Sequence, residues 1–279
     1  MSEAGHTSGR GMDRRAIRTV VRKDLTAVRR SKPIVLPMIF VPLILIVVLP
    51  FVLGLIARSS SSQQVQNALS SSVVKDLTGP ISSLPEQEQM VVLTLGYLLP
   101  PLLLVIPLMV SAVLAADAFA GEKERRTLEG LLHLPISDRD LFVAKVLGAF
   151  IPAVAITWIG AVLYALVCNL VAWPVTGRLF LPFTQWTVMI VWIAPAVALL
   201  ALGLLVVVSS RARTTQEANQ LGGAVILPLI FLGATQASAL LLLPWWGVVA
   251  AGGLIWMLSL GLVAFNGTRF TRDRLATSA

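Results

Sequence analysis

The stretch GEKERRTLEGLLHLPISDRDLFVAK, residues 121–145, is the segment around which the chain is organised, because it lies between two long apolar runs. Its charged residues stand three or four positions apart, so a helix brings them onto one face as mutually paired charges. These residues are Glu122, Arg125, Arg126 and Glu129. A narrow apolar stripe follows the same spacing and consists of Leu128, Leu131 and Leu132. The first half of the stretch is therefore predicted to be a short amphipathic helix.

A second helix is predicted to start within the same stretch. Pro135 stops the first helix, because proline lacks the N–H that a helix interior needs. Ser137 then has the pattern of an N-cap, with Asp140 at the third helical position. Ile136 and Leu141 are placed to form a hydrophobic staple around that cap. A long apolar run follows, so the stretch reads as a charged helix-turn-helix that leads into a span.

The composition predicts a polytopic membrane protein. The chain is 56% hydrophobic and only 13% charged, and its mean hydropathy is +0.84. A helix needs about 20 apolar residues to cross the hydrocarbon. Six stretches qualify, so the expected fold is all-α with six transmembrane helices in a domain over 33–266. The stretches are 34–56, 91–116, 144–172, 186–208, 219–242 and 246–266.

The distribution of positive charge predicts the orientation. If both termini are cytoplasmic, 19 of the 22 Lys and Arg residues lie in cytoplasmic segments, and only Arg58, Lys75 and Arg178 lie outside. This bias is the positive-inside rule, and it places the chain in the cytoplasmic (inner) membrane with a cytoplasmic tail over 267–279. Topology and anionic lipid headgroups account for the net charge of +8, so no nucleic-acid partner is needed to explain it.

The N-terminal region is predicted to hold a basic amphipathic helix over 13–30, within a segment that reaches residue 32. Apolar residues line one side, and cations that include Arg14, Arg15, Arg18, Arg22 and Lys23 occupy the others. Such a helix lies in the membrane interface, although a plain positive-inside anchor explains the pattern equally well. Pro33 is expected to end it. Residues 1–12 are expected to be a disordered leader without a cleavable signal, and Met12 is an alternative start.

Two further features leave alternatives open. The loop over 57–90, on the outside, is Ser- and Gln-rich and predicts either a small helical hairpin or a flexible linker. Prolines lie inside five of the six spans and favour kinks, although membrane helices tolerate proline well. They are Pro37, Pro42, Pro100, Pro101, Pro107, Pro152, Pro195 and Pro228.

The segment over 121–145 resembles the cytoplasmic coupling segment of type-2 ABC exporter permeases, in which a GEKERxTLExLLxxPIS pattern follows the second span. The resemblance implies a coupling segment over 117–143 that docks separate ATPase subunits, which bind ATP and Mg. It implies a second permease copy, as homodimer or heterodimer, and an N-terminal helix that helps frame the dock. The residues implied for coupling are Gly121, Glu122, Lys123, Glu124, Arg125, Arg126, Thr127, Leu128, Glu129, Leu131 and Leu132.

The fifth apolar stretch carries a second candidate site. Gly233, mid-span Pro228 and the polar residues Thr235, Gln236 and Ser238 argue against one straight helix. In the resembled family this position holds a helix and a short re-entrant segment before the last span, which implies a gate or substrate path. Hydrogen bonding between helices is the plainer interpretation of the three polar residues. Trp245 and Trp246 are expected to be interfacial anchors.

Several classes of function are disfavoured by what the sequence lacks. It contains no G-x-x-x-x-G-K-[ST] loop, so ATP hydrolysis is expected in a partner, and no catalytic or metal-binding residue is predicted. The predicted span interiors contain essentially no ionisable residues, which disfavours an ion-coupled carrier or an intramembrane enzyme. Asp117 and Lys145 stand at span ends and are expected to snorkel. A permease-like subunit with a sensing or assembly role stays open, and the substrate is not named, although apolar interiors suit lipid-like cargo.

Overall fold

The computed structural model describes residues 14–60, 63, 81–118, 137–211, 214, 216–218, 220–224, 227–228 and 240–269. Within these residues the chain is helical, with turns and short connections, and contains no strand. Five helices are long and apolar enough to cross a membrane. They correspond to five of the six predicted spans, and they establish a polytopic all-α membrane protein. Most of the remaining stretch, 219–242, lies outside the described residues.

We label six helices in chain order. Helix α1 is Arg14–Arg30. Helix α2 comprises Lys32–Leu43, a π-helical turn Ile44–Val48 and Leu49–Ser59. Helix α3 comprises Glu86–Val92, a π turn Leu93–Leu98, a 3-10 turn Pro100–Leu104 and Val105–Ala116. Helix α4 is Asp138–Thr176. Helix α5 comprises Thr184–Val188, a π turn Met189–Ile193 and Ala194–Arg211. Helix α6 is Trp245–Arg269.

Helix α4 is the longest element and packs against all of the others. Its 39 residues give a length of about 58 Å at 1.5 Å per residue. That length exceeds the hydrocarbon thickness of about 30 Å, so one end of α4 is available to contact α1. The helix that begins at Ser137 therefore does not stop before the third span. The predicted coupling segment over 117–143 overlaps the first turns of this single continuous helix.

The core lies around α3 and α5. Of their most apolar windows, 67% is buried inside the protein, against 22% for α2 and 17% for α6. Because α2 and α6 are also strongly apolar but expose large side chains such as Phe40, Ile56, Leu254 and Met257, they form the periphery that a bilayer would cover.

Two helix boundaries differ from the predicted ones. The break between α1 and α2 lies at Ser31, and Pro33 lies in the first turn of α2, where a missing N–H costs nothing. Pro33 therefore starts the next helix and does not end the previous one. Helix α3 begins at Glu86, so the last residues of the predicted loop over 57–90 are helical. Residues 61–80, apart from residue 63, lie outside the described residues, as do 1–13 and 270–279.

The prolines act differently in different helices. Each π turn ends just before a proline, which is Pro50 in α2, Pro100 in α3 and Pro195 in α5. Pro152 and Pro174, by contrast, lie inside α4, which stays α-helical through both although each proline removes one backbone hydrogen bond. A proline in these spans therefore does not by itself break the helix. Pro42, which is predicted to kink α2, lies in its regular first part, and the irregular turn is the one before Pro50.

Candidate functional site

The structure describes the two sides of the predicted coupling segment. Helix α3 ends at Ala116, and the next described part begins at Ser137. Gly121 to Leu132, all of the predicted coupling residues, lie outside the described residues, so their roles stay predictions.

The start of α4 is fixed by a cap that the sequence predicts. The Oγ atom of Ser137 accepts a hydrogen bond from the backbone N–H of Asp140 at 3.1 Å. Asp138 and Asp140 provide two acidic residues in the first turn, where carboxylates stabilise the positive end of the helix dipole. The predicted N-cap is therefore confirmed. Of the predicted staple pair, Ile136 lies outside the described residues, and Leu141 packs in the apolar cluster described next.

Leu141 belongs to a small apolar cluster that joins α1 to α4. Ile17 and Val20 of α1 are buried against Leu141 and Ala144 of α4. The cluster is extended by partly buried side chains, which are Val21, Val143 and Leu147. The apolar stripe of α1, which is predicted to face the inner leaflet, is therefore occupied in large part by the base of α4.

The basic side of α1 points away from this cluster. The side chains of Arg15, Arg18, Arg22 and Lys23 are exposed. Arg14 opens the helix, and its side chain lies outside the described residues. The predicted amphipathic helix is thus present with its charges outward, and its position at a membrane surface stays a prediction.

Three charged residues at the two ends of the charged segment are buried. Lys145 is 3% exposed, Asp140 is 7% exposed and Asp117, just past the end of α3, is 8% exposed. The expectation that Asp117 and Lys145 snorkel to the interface is wrong, because both residues are buried within the protein. Buried charges at a helix junction must be held by partners, so this end of the bundle is specifically assembled.

The C-terminal part of α6 contacts both α5 and the start of α4. The Nδ2 atom of Asn266 in α6 donates to the carbonyl of Gly203 in α5 at 2.6 Å. A Cβ atom at Gly267 would lie 3.3 Å from the Phe142 ring of α4. Contacts therefore link four helices, α1, α4, α5 and α6, close to the N-terminus of α4, where the charged segment joins it.

A family model described as ABC-2 family transporter protein matches residues 18–244. The match runs from the first turn of α1 to the residue before α6 and includes the charged segment. The chain belongs to the ABC-2 transporter family. It is therefore a permease, the membrane subunit of an ABC transporter, as the resemblance in the charged segment predicts. A comparison with curated individual proteins finds no match.

The second predicted site of the permease lies mostly outside the described residues. Pro228 lies in a short helical piece over 227–228 and is exposed. Gly233, Thr235, Gln236 and Ser238 fall in the undescribed part, so the re-entrant segment and the gate stay predictions. Trp245 and Trp246 open α6 with side chains 60% and 64% exposed, and their role as interfacial anchors also stays a prediction.

Sequence reasoning missed a polar cluster near the C-terminal end of α4, which we call the rim and define as Glu88, Asn169, Arg178, Phe180 and Leu181. Asn169 accepts hydrogen bonds from the N–H groups of Phe180 and Leu181 at 3.0 and 3.2 Å. Its amide donates to the Leu181 carbonyl at 2.7 Å. Arg178 donates to Glu88 Oε1 at 2.6 and 3.2 Å. The sequence contains a signal for this cluster, because Asn169 is a polar amide near the end of an apolar run.

Proposed function

We propose that this ABC-2 permease moves its substrate out of the cytoplasm, and that separate ATP-binding subunits docked on residues 121–132 drive it. The ATPase partners would hold ATP and Mg. A second permease copy, identical or related, would complete the translocation path. The termini would then lie in the cytoplasm, with the chain in the inner membrane.

The observation that supports this proposal best is the joint between α1 and α4. Ile17 and Val20 are buried against Leu141 and Ala144, within a few residues of the Ser137 cap. A push on the charged segment would therefore move α1 and α4 together. Burying these four apolar side chains stabilises the joint by several kcal/mol, at roughly 25 cal/mol per Å² of apolar surface.

Helix α4 is suited to carry that motion across the membrane. It is continuous from Asp138 to Thr176 and contacts every other labelled helix. A rigid element of about 58 Å that touches all its neighbours transmits a displacement at one end to the other. The gate would lie near the outer end, where Thr235, Gln236 and Ser238 are the candidate contacts for substrate.

The substrate class follows from the interior of the bundle. Among the buried residues that the structure describes in α3 and α5, only Glu88 and Ser111 are polar. We therefore expect a lipid-like or amphipathic substrate, because a hydrophilic one would meet few hydrogen-bond partners along these helices.

The test is ATP-driven transport in inside-out membrane vesicles that contain the permease and its ATPase partner. A panel of fluorescent amphipathic probes is offered, and the control carries an ATPase partner whose catalytic carboxylate is neutralised. We expect uptake of at least one probe with the active partner and none with the inactive one. If the active complex hydrolyses ATP but accumulates no probe of any class, the transport proposal gives way to a sensing role.

A further inference from the structure

The three π turns leave backbone carbonyls without a donor in their own helix. In α3 the N–H of Leu99 bonds the Thr94 carbonyl, five residues back, at 3.1 Å. The Leu95 carbonyl therefore loses Leu99 as its normal donor. The next N–H in line would belong to Pro100, which has none. In α5 the N–H of Ala194 bonds the Met189 carbonyl in the same way, and Pro195 leaves the Ile190 carbonyl without a donor.

Side chains of α4 supply donors to both of these carbonyls. The Tyr164 hydroxyl donates to the Leu95 carbonyl at 2.7 Å, and Tyr164 is 1% exposed. The Trp158 indole N–H donates to the Ile190 carbonyl at 3.1 Å. Each donor meets a carbonyl that has lost its donor through the π turn and the following proline. Because an unsatisfied backbone group in hydrocarbon costs several kcal/mol, these contacts matter more than an ordinary surface hydrogen bond.

The same part of α4 also contacts the third π turn. A Cβ atom at Gly160 would lie 2.6 Å from Ile46 Cδ1, in the turn Ile44–Val48 of α2. There the Leu49 N–H bonds the Ile44 carbonyl ahead of Pro50. Among the described residues, no side-chain donor to the Leu45 carbonyl is found. Residues 158–164 of α4 therefore contact three irregular turns and cap two of them.

We propose that Tyr164 and Trp158 are positioning residues of the permease. They hold α3 and α5 in the observed arrangement by capping the Leu95 and Ile190 carbonyls. When a cap is released, the helix bends at its π turn. Irregular helical turns recur at functional sites, and here two of the three are capped by side chains of the neighbouring helix α4. The proposal concerns the permease alone and does not depend on export direction or ATPase docking.

The test is hydrogen–deuterium exchange of the full-length permease in lipid nanodiscs, with two variants that each remove one cap. Tyr164→Phe deletes only the hydroxyl, and we expect exchange in residues 93–99 to rise roughly three- to tenfold. Trp158→Phe deletes the indole N–H, and we expect the same rise in residues 189–194. Each variant should leave the other turn close to wild type.

Two variants serve as matched controls. Tyr97→Phe removes the hydroxyl of the only other tyrosine, which lies in the same π turn and stacks on Phe183. Trp192→Phe removes an indole N–H that donates from the α5 turn to the Val249 carbonyl at 3.2 Å, within regular helix α6. Neither control should accelerate exchange selectively in a π turn.

The proposal is overturned by either of two results. One is that both cap variants exchange like wild type in the two turns. The other is that each variant raises exchange uniformly along the chain, which would make Tyr164 and Trp158 ordinary contributors to global stability.

Discussion

The middle and the C-terminal end of α4 hold their neighbours by different means. In the middle, residues 158–164 use one hydroxyl, one indole and one close glycine contact to fit three proline-linked turns. At the rim, Asn169 and Arg178 use three hydrogen bonds to the backbone and an ion pair to hold the chain between α4 and α5.

The difference follows from the solvent that each region can reach. Inside the bundle no water replaces a lost hydrogen bond, so the side-chain donors to the Leu95 and Ile190 carbonyls stabilise two of the three irregular turns. At the rim, the Arg178 side chain is 58% exposed, and an ion pair in contact with water contributes little. The buried amide of Asn169 should therefore contribute most of the stability of the rim. Packing and the two carbonyl caps should contribute most of the stability of the middle.

The largest expected effect is at Asn169. Asn169→Leu leaves two N–H groups and one carbonyl of the following loop without their partner, so we expect a loss of about 2–4 kcal/mol in unfolding free energy. Thermal unfolding in nanodiscs measures it. Asn266→Leu is the matched control because it removes one hydrogen bond, to Gly203, and it should cost less. Equal losses for the two variants would contradict the assignment of Asn169 as the main clamp of the rim.

A smaller effect is expected from filling the close contact at Gly160. Gly160→Leu forces a side chain against Ile46, and overpacking of this kind costs about 1–3 kcal/mol. Gly253→Leu in α6 is the control, because a Cβ atom there meets nothing within 4 Å. We expect a lower unfolding midpoint for the Gly160 variant only. If Gly253→Leu destabilises as much, then helix propensity and not the contact with α2 explains the loss.

The smallest effect is expected for the ion pair of the rim. Arg178→Gln should cost less than about 1 kcal/mol, because the guanidinium is largely exposed and screened. Unfolding midpoints of wild type and variant are compared at low and high salt. The gap between them should narrow as salt increases. A gap that is large and independent of salt would mean that Glu88 needs Arg178 as a buried partner.

Local patterns of the sequence predict much of the fold. The apolar runs predict five helices that the structure describes, and the Ser137 cap is predicted because capping depends on neighbours in sequence. The amphipathic pattern predicts α1. It does not reveal that α1 buries Ile17 and Val20 against α4, because an apolar stripe shows that a helix face is covered but not by which element.

Contacts between distant residues are what the sequence could not predict. Lys145 and Asp117 look like span-end charges, and only the packed bundle shows that they are buried. The prolines of α3 and α5 predict kinks, yet Pro152 leaves α4 regular, because the outcome depends on how the surrounding helices accommodate the lost bond. In the sequence, Tyr164 and Trp158 are aromatic residues of an apolar span like any other. Only the structure shows that they donate hydrogen bonds to the Leu95 and Ile190 carbonyls.

The most direct test of the docking proposal is co-purification of the permease with its ABC ATPase partner. Wild type is compared with Glu122→Arg plus Glu129→Arg in mild detergent. The control is Asp76→Arg plus Glu86→Arg, which reverses the charge of two acidic residues in the loop predicted over 57–90.

We predict a stable complex for wild type and for the control. We predict loss of the ATPase from the Glu122 and Glu129 variant, with unchanged monodispersity and thermal unfolding. Retention of the ATPase by a folded Glu122 and Glu129 variant would contradict docking at 121–132, as would the absence of any wild-type complex.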